Sequence, residues 1–159
     1  MSIVRVHAAL TGAFVGVTLV AAWGFAPWQR SLVTAVDLGL FVGGTAAFLW
    51  SFAVAVGRSR TEEISVAALY LLGGGIVPRR LALAMHACLA LQVVVGLGAA
   101  IARSSTDGRP GSALAFGVLV PVLGVGLNGV LAVRHGTFGL RDTGRGDGGS
   151  AIGKNDDRG

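Results

Sequence analysis

Four predominantly apolar runs, each eighteen residues or longer, constrain this chain more than any other feature. They cover about residues 6–28, 32–57, 81–101 and 111–133. A hydrocarbon core about 30 Å thick is crossed by about 20 helical residues, and a domain in water has no use for four such runs. With 53% of its 159 residues hydrophobic and only 13% charged, the chain has too little polar surface to cover a globule. The expected class is an all-α integral membrane protein. Its expected architecture is an antiparallel four-helix transmembrane bundle over residues 1–141, followed by a disordered tail over 142–159 that is rich in Gly, Asp and Arg.

The first run follows a short basic start, MSIVR, as a signal peptide would. It is longer than the usual apolar region of about seven to fifteen residues, and cleavage after Ala26 would leave Pro27 first. It is therefore read as a retained helix. The one cysteine, Cys88, falls in the third run, which leaves no internal disulfide and no cysteine-based metal site.

Arginine and lysine collect on the cytoplasmic side of short loops, so their distribution orients the spans. With the N-terminus inside, Arg5, Arg58, Arg60, Arg79, Arg80, Arg134, Arg141, Arg145, Lys154 and Arg158 are cytoplasmic. Only Arg30, Arg103 and Arg109 lie outside. Both termini are then cytoplasmic, and the net charge of +5 faces anionic lipid headgroups rather than nucleic acid.

Between the second and third spans runs RTEEISVAALYLLGGGIVPRR, apolar but too short to cross. Thr61 offers an N-cap, Glu62 and Glu63 suit a first helical turn, and Gly73, Gly74 and Gly75 suit a stop. The expectation is a short interfacial helix over residues 62–72. Its Ile64, Leu69, Tyr70 and Leu72 would dip below headgroups held by Arg58, Arg60, Arg79 and Arg80. Docking on a partner subunit, and folding back as a plug over the cytoplasmic mouth, are the other two readings of this segment.

In hydrocarbon, helices approach through small residues. Such stripes run along the first span (Ala8, Gly12, Gly16), the second (Gly39, Gly43, Ala47, Ser51, Ala55) and the third (Ala84, Cys88, Gln92, Gly96, Ala100). The stripe on the second span is unbroken. The fourth carries Ala113, Gly117 and Gly129, with Pro121 expected to kink it. Trp23 and Trp28 suit the outer interface, and Trp50 is expected to pack laterally. The similar words HAAL at His7 and HACL at His86 hint at a duplicated hairpin in parallel orientation.

Polar groups within spans are costly and hence candidates for chemistry. Asp37 is a candidate proton-coupling carboxylate, and Gln92 and Asn128 are candidates for interhelical bonds or a substrate path. His7 and His86 could ligate a haem from two sides, although one histidine per helix near a headgroup layer is usually an ordinary interfacial side chain. No phosphate loop, zincin pair or serine elbow is present in the sequence, so catalysis is not expected and neither a metal nor a cofactor is assigned.

The leading reading is an accessory or structural subunit of a larger membrane assembly, with a protein partner or a homo-oligomer. The alternative is a small transporter or lipid-handling protein, and a bis-histidine haem redox module is third. The Ala, Gly, Val and Arg bias suits a GC-rich bacterial genome, which puts the chain in an inner (plasma) membrane.

Overall fold

A computed structural model describes residues 2–24, 26–106 and 108–140. The chain is predominantly helical, and four of its helical stretches are long and apolar enough to cross a membrane. The helices are α1 (Ile3–Gly24), α2 (Pro27–Arg58), α3 (Val66–Leu71), α4 (Arg79–Ala102) and α5 (Pro121–His135). Strands β1 (Ser105–Thr106) and β2 (Arg109–Pro110) and a 3₁₀ segment, Ala113–Leu119, lie between α4 and α5. The tail expected from residue 142 lies outside the described residues.

The link between the first two spans lies earlier than the sequence suggested, with α1 ending at Gly24 and α2 beginning at Pro27. Pro27 takes the first position of α2, where its missing N–H removes no helical bond and its fixed φ already suits a helix. Gln29 folds back so that its Oε1 accepts from the Ala26 N–H at 2.7 Å. Trp28, read from the sequence as the end of the first span, thereby belongs with Arg30 to the start of α2. The other link is a small antiparallel hairpin in which Ser105 pairs with Pro110, and Gly108 adopts φ +76° as tight reversal demands.

The fourth span is a change of helix type at Pro121 rather than a simple kink. Pro121 has no N–H to offer the Gly117 carbonyl, which instead accepts from Val120 at 3.2 Å. Leu123 likewise bonds Val120 at 2.8 Å, and the chain tightens into 3₁₀ geometry before α5.

This span is the innermost one: 56% of its most apolar stretch is buried in the chain, against 17–22% for the others. It packs chiefly on α2 and α4, while α1 lies against α4 and α2. Glycine backbones make the close approaches. A Cβ at Gly44 would overlap the Leu123 backbone, and one at Gly126 the Gly44 carbonyl. One at Gly96 would come within 2.5 Å of the Gly117 oxygen.

The small-residue stripes turn out to face two ways. Gln92 and Gly96 of α4 and Gly117 and Gly129 of the fourth span are buried, as the packing argument expects. On α1, Ala8, Gly12 and Gly16 point outward, and the buried face is His7, Thr11, Phe14, Thr18 and Ala21. On α2, Gly39 and Gly43 also point outward, and Val33, Asp37, Gly44, Ser51 and Ala55 turn in. Trp50 is likewise half exposed, beneath the Arg134 guanidinium at 5.4 Å.

Candidate functional site: the buried polar clusters

Among the described residues, seven polar residues are buried inside the chain: His7, Thr11, Thr18, Asp37, Ser51, Gln92 and Asn128. Each sits on a span, where an unpaired polar group costs several kcal/mol, roughly, in hydrocarbon. Which of them are satisfied separates structural glue from candidate chemistry.

Gln92 of α4 is the centre of the first cluster. Its Nε2 donates to Thr11 Oγ1 at 2.8 Å and to His7 Nε2 at 3.1 Å, so one amide holds two residues of α1. Because His7 Nε2 accepts, the ring carries its proton on Nδ1, which lies 3.4 Å from Met85 Sδ. A Cβ at Gly124 would meet Gln92 Oε1 at 2.9 Å, so the amide and the α5 backbone share one tight space. Gln92 Oε1 itself has no hydrogen-bond partner among the described residues.

The second cluster fixes the connection between α2 and α4. Asn128 Nδ2 donates to the Tyr70 carbonyl at 2.9 Å, and Tyr70 Oη donates to the Phe48 carbonyl at 3.1 Å. The Tyr70 and Phe48 rings stack with centroids 4.3 Å apart. Ser51 Oγ also donates to the Phe48 carbonyl, at 2.9 Å, and leaves no space for a side chain at position 129. Burial pushes the Tyr70 phenol above its ordinary value of 10, with the Ser51 hydrogen bond opposing, so the phenol remains a neutral donor.

These contacts correct the expectation for residues 62–72. The helix is only Val66–Leu71, and Ser65 rather than Thr61 caps it, its Oγ accepting from the Ala68 N–H at 3.0 Å. Glu62 and Glu63 lie outside it: Glu62 pairs with Leu140, and the Glu63 N–H bonds the Gly139 carbonyl at 2.9 Å. Leu69, Tyr70 and Leu72 do not dip into lipid. They are at most 5% exposed and share a core with Ala55, Met85, Leu131 and Ala132, against which Ile64 also packs. Leu72 even accepts φ +50°, a strained value that its burial offsets. The segment is folded back over the chain's own helices, which leaves Val66 and Leu71 as its outward apolar residues.

The four arginines named with that segment also divide. Arg58 is taken up within the chain: it donates to the Val133 carbonyl at 2.8 Å, pairs with Glu62 at 2.8 Å and lies over the Phe138 ring. Arg60, Arg79 and Arg80 are exposed. His86 is bound to the Leu71 carbonyl through Nε2 at 2.9 Å. The two histidines of the haem reading are therefore engaged by different partners, His7 by Gln92 and Met85 and His86 by α3.

Asp37 stands apart from all of these. It is 1% exposed, and neither carboxyl oxygen has a hydrogen-bond partner among the described residues. In the sequence it was one of several intramembrane candidates; Thr18, Gln92 and Asn128 each also bury one oxygen without a partner, but Asp37 is the ionisable member of that set and both of its oxygens are unmet. Thr11 and Met85 were missed, and Ser51 was named only for its small size on a packing stripe, because hydroxyls and thioethers in an apolar run carry little signal until a partner faces them. Set against known proteins, the chain matches no family model, no curated protein and no solved structure.

Proposed function

We propose that this chain is a small accessory subunit of a larger assembly in a bacterial inner membrane, acting by packing rather than by catalysis. In this reading the four spans form an antiparallel bundle of two hairpins with both ends of the chain cytoplasmic. The register of contacts supports that arrangement: Gly44 meets Leu123 and Arg58 meets Val133, while Arg103 reaches the Ala22 carbonyl. The arginine distribution supports the orientation.

The observation that carries the proposal is the outward turn of Gly12, Gly16, Gly39 and Gly43, none of which has anything within 4 Å of a Cβ position. Inside the chain the same residue type is used for backbone-to-backbone approach, at Gly44 with Gly126 and at Gly96 with Gly117. Glycines on α1 and α2 that face away from the chain offer a second protein's helix the same approach. Single tryptophan substitutions at Gly12 and at Gly43 test this. The thermal midpoint of the isolated chain is expected to stay unchanged while the partner is lost on affinity extraction from the membrane. Full retention of the partner by both variants contradicts the proposal.

A further inference from the structure

Asp37 belongs to neither cluster, and its height in the chain can be worked out from the packing. Gly44 lies against Leu123. The seven α-helical residues back to Asp37 rise about 10 Å, and so do the six from Leu123 to Gly117 through the 3₁₀ segment. Asp37 is therefore level with Gly117, where the Gly96 backbone and the Phe14 ring also converge. It stands about 10 Å of helix below Arg30 on the same heptad position.

Bare charge at such a place is costly, and a carboxylate with no donor around it is disfavoured against the neutral acid. Among the described residues no compensating cation is hydrogen-bonded to it. On α1 the titratable groups are Arg5 and His7, both lower down, His7 at the level of Met85 and Gln92. On α4 none lies between Cys88 and Arg103, and on the fourth span none precedes Arg134 and His135. On α2 itself the nearest are Arg30 and Arg58. Among the described residues there is also no group of three His, Cys, Asp or Glu side chains to hold a metal ion.

One turn above Asp37, an open groove of about 430 Å³ is lined by Arg30, Ser31, Thr34, Ala35 and Ala113. Thr34 is three residues before Asp37, so its hydroxyl lies over the same side of the helix. Polar side chains thus run from the end of α2 near Pro27 down to the turn that carries the acid.

We propose that Asp37 is a proton-binding site inside the membrane, exchanging with one aqueous face through the groove between α2 and the 3₁₀ segment. The bound form is the carboxylic acid; release leaves the carboxylate and delivers the proton to water in the groove. This does not depend on the subunit reading, since an accessory chain and a solitary one could each carry such a site.

Infrared spectroscopy of the full chain in lipid nanodiscs tests it. At neutral pH a protonated-carboxyl carbonyl band is expected, lost in Asp37→Asn and shifted but retained in Asp37→Glu. In wild type the band shifts on transfer to D₂O and gives way to carboxylate absorption as pH rises. Ala35→Trp, which fills the groove, slows the D₂O shift. The proposal is overturned by an acid band that is absent from wild type, that survives unchanged in Asp37→Asn, or that does not respond to D₂O. The D₂O response needs no variant, so a misfolded Asp37→Asn still leaves a decisive result. An exchange rate unaffected by Ala35→Trp overturns the groove as its route.

Discussion

Gln92 directs its amide hydrogens at two α1 side chains, and His7 completes the set through Met85, so one residue of α4 organises the interior face of α1. Replacing it by Leu removes both bonds and leaves His7 and Thr11 buried without their partner. A loss of about 1–2 kcal/mol is expected, read as a lower thermal midpoint in detergent. Met85→Leu, which keeps volume and loses only a weak sulfur acceptor, is expected to cost under about 1.5 kcal/mol in the same measurement. The glycines divide as clearly. Gly126→Leu drives a side chain into the Gly44 carbonyl and the Phe48 amide and is expected to cost about 3 kcal/mol or to prevent folding. Gly12→Leu, on an open face, is expected to change stability by no more than about 0.5 kcal/mol.

Among the elements, α3 has six residues and no independent stability, so it persists only because Asn128, Phe48 and the buried leucines hold it. In a Cys88→Ala background, Leu71→Cys is expected to react readily with a water-soluble maleimide and Leu69→Cys to be protected; equal labelling would contradict the docked helix. The four spans were legible in the sequence because crossing length and apolar content are properties of composition. Their inward faces were not, because a span touching lipid is apolar all round and periodicity cannot separate core from exterior. Glycine spacing pointed to Gly39 and Gly43 on α2, whereas the polar residues Asp37 and Ser51 mark the buried face. On α1, His7, Thr11 and Thr18 would have done the same. The fold-back of α3 was open among three readings for a related reason: Tyr70 and Leu69 suit lipid or core equally until Asn128 is seen to face them.

At the scale of the whole molecule, two polar clusters tie parts of the interior while Thr18 and Asp37 have no partner among the described residues, and the exterior is an apolar belt interrupted by glycine. Leu19, Val42, Val94 and Ile101 are all more than half exposed, as hydrocarbon permits, and the basic residues sit at the helix ends. Arg58 joins the ends of α2 and α5 to Glu62 and Phe138, so its loss is expected to open this end of the chain as a unit. Faster hydrogen exchange at residues 62–77 in Arg58→Met would register that opening. The central claim, that this chain works as one part of a larger assembly, is tested most directly by native mass after extraction in mild detergent through a C-terminal tag. The account predicts a stoichiometric complex with a second membrane protein, heavier than the 16.1 kDa chain and lost in Gly43→Trp. A solitary chain at 16.1 kDa from the native membrane, with nothing co-purifying, would contradict it.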